Sequence, residues 1–71
     1  MEYVIDFKLK ELLNERGLTQ KALAQASGVR ESTISDLVRG TRTVINFEHL
    51  AKISKALMLN DINEIISFRN N

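Results

Sequence analysis

One stretch, Gln20 to Arg39 (QKALAQASGVRESTISDLVR), constrains the fold more than any other part of the chain. Its apolar residues fall into two groups at helical spacing, with a glycine between them. Leu23 and Ala24 make the inward side of one short helix. Ile34, Leu37 and Val38 make the inward side of a second. Gly28 takes the turn, where a positive φ costs little without a Cβ. Val29 closes that turn onto the core. Ala24 is small at the expected crossing point, so the two backbones can approach closely. The pattern predicts two short helices packed at a steep angle across a turn of about three to four residues.

That packing leaves the second helix with a free face. At roughly 100° per residue, Ser32, Ser35, Asp36 and Arg39 lie opposite Ile34, Leu37 and Val38. Each can donate or accept hydrogen bonds. Such a face suits a DNA major groove, whose base edges offer donors, acceptors and thymine methyls. A plain solvated helix face has the same polarity. The spacing of the whole two-helix unit, residues 19–39, tips the reading towards nucleic acid.

Length and charge agree with this. At 71 residues the chain is expected to be a single domain, 1–71. A core of that size is marginal, and a helical bundle with local contacts is the easiest way to build it. There is no cysteine, hence no disulfide framework, and no metal-ligand spacing. Nothing reads as a signal peptide or a membrane-length apolar run, so the expected location is the cytoplasm, without membrane contact. Net charge is only +1, but it is unevenly spread. Residues 1–15 set Lys8 and Lys10 against Glu2, Asp6, Glu11 and Glu15, a balance of −2. Residues 16–43 set Arg16, Lys21, Arg30, Arg39 and Arg42 against Glu31 and Asp36, a balance of +3. Residues 44–71 balance to zero. The positive excess sits on the two-helix unit and the loop after it, where a nucleic-acid binder needs it.

The remaining elements follow from periodicity and caps. Tyr3, Val4 and Ile5 have β propensity and read as a short strand, or as an arm packed on the domain. Asp6 is the expected N-cap of a first helix from about Phe7 to Arg16, carried by Leu9, Leu12, Leu13 and Arg16. Gly17 ends it and Leu18 is expected to plug the core. Thr19 caps the second helix, which runs to about Ser27. Its first turn, Gln20 and Lys21, offers backbone N–H groups to a phosphate, with Gln20 as an added donor. The third helix runs from about Glu31 to Arg39 and stops at Gly40. In the following loop Thr41, Arg42 and Thr43 are small or basic donors. Asn46 caps a fourth helix on Leu50, Ile53 and Leu57, with Ile45 and Leu50 placed as a hydrophobic staple. Asp61 and Glu64 form a capping pattern for a short fifth helix, about Ile62 to Ile66. Ile65 to Phe68 is more apolar than a free tail and should either pack or meet a partner.

Taken together, LTQKALA at 18–24, SGV at 27–29, STIS at 32–35, Arg39-Gly40 and NFEHLAKISKAL at 46–57 resemble the phage-repressor and Cro-like helix-turn-helix family, also called XRE-type regulators. The resemblance spans about residues 7–66. It implies an all-α, five-helix, lambda-repressor-like domain, to which the β propensity of the residues adds short terminal strands as an option. It also implies a transcriptional regulator, repression being the expected direction, that binds double-stranded operator DNA as a homodimer with helix 31–39 in the major groove. Carried over by position, Arg30, Glu31, Ser32, Ser35 and Asp36 face bases or adjacent backbone, while Gln20, Arg39, Arg42 and Thr43 hold phosphates. The chemistry is consistent, since arginine suits guanine or phosphate and a carboxylate accepts from cytosine N4. The chain departs from the family pattern in three ways. Arg30 stands where a Ser or Thr cap is common. Leu13 and Val38 stand where many members carry an arginine and a glutamate that pair. The segment after residue 58 has one more residue than the commoner spacing.

An enzyme is not expected. His49 is the one histidine and has no thiol or carboxylate cluster beside it in sequence. Ser32, Ser35 and Ser54 lack an activating base, and a Gly-rich phosphate loop is absent, so neither catalytic residues nor cofactors are assigned. The competing class is an antitoxin or other protein-interaction module, binding a toxin or another protein through the apolar termini.

Overall fold

Two strands frame the helices. The computed structural model describes residues 3–41 and 44–70. Along the chain it has β1 (Tyr3–Phe7), α1 (Leu9–Arg16), α2 (Gln20–Ser27), α3 (Glu31–Arg39) and α4 (Phe47–Ala56), then a 3-10 turn (Ile62–Glu64) and β2 (Ile66–Asn70). Leu9, Leu12, Leu13, Leu23, Val29, Ile34, Leu37, Leu50, Ile53, Leu57 and Ile65 form the buried core. Full burial of one such side chain is worth about 1.5–3 kcal/mol. Thr33 is buried with them although it is polar. Leu18 is not: it is 39% exposed at the end of α1 rather than a core plug.

The helix boundaries follow local chemistry. Thr19 accepts the Ala22 N–H at 3.0 Å and opens α2. Gly28 ends α2 at φ 76°, and its N–H returns to Ala24 O. Asn46 accepts from Glu48 N–H at 2.7 Å and His49 N–H at 3.3 Å, opening α4. Ile45 is partly buried against the core, as a staple residue should be.

Two expectations about the ends give way. The Asp6 cap does not form. Asp6 lies inside β1, α1 begins at Leu9, and its N-cap Lys8 contributes no side-chain cap. Lys8 instead joins the two ends of the chain. Its backbone N–H donates to Ile65 O at 2.7 Å and its Nζ to Asn63 O at 2.6 Å.

The fifth helix is also not there; among the described residues there are four α-helices and a two-stranded sheet. Asp61 does cap, accepting the Asn63 N–H at 2.9 Å. Glu64 reaches back to the Asn60 N–H at 3.1 Å. A single 3-10 turn follows, closed by Ile65 N–H on Ile62 O at 3.1 Å. Ile65 is then fully buried. The next residues, Ile66-Ser-Phe68, are good strand formers that find a partner in β1. The strands pair antiparallel, Phe7 opposite Ile66, Ile5 opposite Phe68 and Tyr3 opposite Asn70.

Candidate nucleic-acid interface

The two-helix unit forms as its sequence dictates. Leu23 and Ile34 are 1% and 0% exposed, and Val29 seals the turn at 3%. Ser27 Oγ accepts the Val29 N–H at 3.2 Å, which fixes the turn beside Gly28. With its inward side held this way, α3 presents the opposite side to solvent. Arg30, Glu31, Ser32 and Arg39 are exposed, and Ser35 and Asp36 half-buried. Ser32, Ser35, Asp36 and Arg39 lie on that side, while Arg30 and Glu31 are exposed at the helix start.

Within that face the groups are linked. Arg39 Nη1 donates to Ser35 Oγ at 2.9 Å and Nη2 to Asp36 Oδ1 at 2.6 Å. Thr41 then folds back over the end of α3. Its N–H and its hydroxyl both donate to Asp36 O at 3.2 Å. At the other end Arg30 is the N-cap residue without a side-chain cap bond. The first-turn N–H groups of α3 thus have no capping side chain, as the departure at Arg30 implied. Glu31 in that first turn complements the helix dipole instead.

The expected phosphate set divides. Gln20 sits half-buried in the first turn of α2. Arg39 is turned along α3 towards Ser35 and Asp36. Arg42 and Thr43 lie outside the described residues. Packing adds a residue that spacing alone did not single out. Lys10 and Asn14 of α1 line one recess with Thr19, Gln20 and Val38. Lys10 lies ten positions before Gln20, on what reads as the solvent side of α1. Only the docking of α1 beside the start of α2 brings this cation to the same place.

Packing also thins the positive excess over residues 16–43. Arg16 donates from Nη1 to Leu57 O, joining the end of α1 to the end of α4. Arg39 is paired with Asp36. Lys21 and Arg30 remain exposed on the two-helix unit.

A family model described as Helix-turn-helix matches residues 9–58. Those residues begin with α1 and end just beyond α4. This chain belongs to the Cro/C1-type (XRE) helix-turn-helix family. The domain is a DNA-binding, transcription-regulatory one and not typically enzymatic. The paired strands β1 and β2 fall outside the matched residues. Comparison with the curated proteins and with the solved structures returned no match. Among the described residues no group of His, Cys, Asp and Glu is placed to hold a metal ion. Nor is any helix long and apolar enough to cross a membrane.

Proposed function

We propose that residues 1–71 act as one sequence-specific regulator of transcription in the cytoplasm, a repressor that binds operator DNA as a homodimer with α3 in the major groove. The observation that carries the reading is the α3 face: a buried Ile34 and Leu37 behind it, and Ser32, Ser35 and Asp36 on the opposite, accessible side, with Arg30 and Glu31 exposed at the helix start. In the proposed complex these five read bases or the adjacent backbone. Gln20, Lys10, Arg42 and Thr43 hold phosphates and set the register. Arg39 borders both groups.

One recognition helix covers few base pairs, and two half-sites about one helical turn apart supply the rest. The ribbon of β1 and β2 favours the dimer. It places Tyr3, Ile5 and Phe7 on one face with Ile66 and Phe68. Phe7 and Ile66 pack on the core, while Tyr3, Ile5 and Phe68 stay 67%, 58% and 70% exposed. Tyr3 and Phe68 meet edge to face at 5.5 Å. A second copy laid on that apolar face would cover it. Ile65 takes no part, because it is core.

Selection of bound sites from randomised duplexes tests the reading. The selected sequences should form two related half-sites. Arg42→Ala should weaken all duplexes about equally and make the salt slope shallower by roughly one unit. Ser32→Ala should change preference at a few base pairs, on the order of 1–3 kcal/mol each. If every substitution on α3 leaves binding unchanged, the face is only solvated surface.

A toxin or other protein partner is the second reading. It is favoured by an apolar cleft of about 450 Å³ between α4 and the segment after it, lined by Phe47, Leu50, Leu59 and Ile62. Phe47 is 82% exposed at its rim. A chain that lost DNA binding but kept a protein partner through this cleft would establish that reading.

A further inference from the structure

The exposed apolar side chains are not scattered. Among the described residues eight large ones face solvent, and five of them, Tyr3, Ile5, Val44, Ile62 and Phe68, lie on or beside the β1–β2 ribbon. Such a concentration on a small protein marks a contact site. The two faces of the ribbon differ. Strand alternation puts Val4, Asp6, Ser67 and Arg69 on one, and Tyr3, Ile5, Phe7, Ile66 and Phe68 on the other. At its inner end the apolar face runs into a cleft of about 460 Å³. Ile5, Phe7 and Ile66 form one wall of the cleft. Leu37, Gly40 and Val44, at and just beyond the end of α3, form the other. No residue lining it carries a charge.

We propose that a second copy of this chain docks here with the partner's Tyr3 seated in the cleft between β1 and the end of α3, an inference that deepens the dimer reading and rests on it. The argument is one of symmetry. A two-fold contact uses the same patch on both copies, so the patch must carry both the knob and the hole. This one does, at opposite ends of a single face. Ile5 and Phe68 are register partners at the middle of the ribbon, with Tyr3 two residues outward and Phe7 two residues inward. A two-fold axis through that middle lays the outer end of each ribbon over the inner end of the other. Each Tyr3 then meets the other copy's cleft, and the contact forms twice. The size of the cleft suits an aromatic ring. Its open rim at Val44 leaves the phenol hydroxyl in water, so burying the ring strands no polar group. A charge-free lining suits an apolar guest and gives a phosphate or a charged peptide nothing to hold. Because Leu37 and Gly40 form part of the wall, the contact ties dimer closure to the placement of α3.

The test is sedimentation of the full chain without DNA, as wild type, as Tyr3→Lys, as Val44→Glu and as an equal mixture of the two variants. Both positions are mostly exposed, 67% and 78%, so the fold should survive, and thermal unfolding checks this. Each variant alone should raise dimer dissociation by roughly tenfold for each of two contacts, about a hundredfold in all. The mixture should dimerise within about tenfold of wild type. In the mixed dimer one contact sets the new lysine against the new glutamate, and the other is wild type. If either charged variant unfolds, Tyr3→Ser and Val44→Ser replace them, and both should weaken the dimer. Two results overturn the inference while leaving a dimer in place: variants that dimerise as wild type does, or a mixture no better than its components. A wild-type chain that stays monomeric, free and on DNA, sinks the dimer reading first and this one with it.

Discussion

Leu13 and Val38 show most clearly what one side chain decides. Leu13 is 5% exposed in the core, and Val38 is partly buried against it. Both line the recess beside Gln20. Many family members carry an arginine and a glutamate at these positions. A buried ion pair has a large desolvation cost, and apolar residues replace it with little loss. We therefore expect Leu13 and Val38 to join α1 to α3 directly. Val38→Glu alone should destabilise by an amount near or below the lower end of about 3–5 kcal/mol, since Val38 is only half-buried. Adding Leu13→Arg should recover part of the loss. Urea unfolding of the wild type, both single variants and the double variant closes the cycle. Additive effects would show that the two side chains do not couple.

Elements depend on their ends. Asn46 satisfies two of the free N–H groups of α4 with one side-chain oxygen. Asn46→Ala should cost about 1 kcal/mol, read as a lower denaturant midpoint with an unchanged slope. The other end of α4 is less well served. Leu57 is its C-cap, and the next residue, Met58, adopts φ 54°. That left-handed conformation costs a non-glycine residue about 1–2 kcal/mol. Met58 is 80% exposed and loses little packing if truncated. Met58→Gly should therefore stabilise the protein by about 0.5–1 kcal/mol after the entropic cost of glycine in the unfolded chain. A midpoint that falls would mean that Met58 makes contacts its exposure does not suggest.

On the scale of the whole molecule, the ribbon is the part with the least support. A two-stranded sheet is marginal by itself. Its inner end is anchored by Phe7, Ile66 and the Lys8 bond to Ile65 O. Its outer end shows an apolar face to solvent. Phe68→Asp keeps the anchor intact and places a charge on that face. Sedimentation should then show dissociation of the proposed dimer raised by at least roughly tenfold, about 1.4 kcal/mol. Thermal stability of the monomer should change little. DNA affinity should fall in step, because half-site binding loses its partner. An unchanged dimer would move the interface elsewhere, and the Phe47 cleft is the next face to vary.

The helix-turn-helix could be read from residues 19–39 because every signal there is local. A Thr19 cap, a Gly28 turn and apolar residues at helical spacing each act within a few positions. The sequence by itself therefore determined α2, α3, α4 and most of the core. Around residues 62–66 the local signals pointed the wrong way. The Asp61 capping pattern fits a helix start, and Ile65 and Ile66 fit either a helix or a strand. The choice was made by β1, some sixty residues away, whose backbone groups pair with those of β2. Asp6 lost its capping role to the same pairing. Within the site, tertiary structure decided which residues keep company. Docking of α1 set Lys10 in one recess with Gln20, and the end of α4 took up Arg16 through Leu57 O. The side-chain geometry of α3 itself tied Arg39 to Ser35 and Asp36. Helical spacing makes that contact available but does not choose it, because an arginine side chain can equally extend to solvent. Local periodicity fixes which face of a helix looks outward, and long-range packing fixes which charges are left there to act.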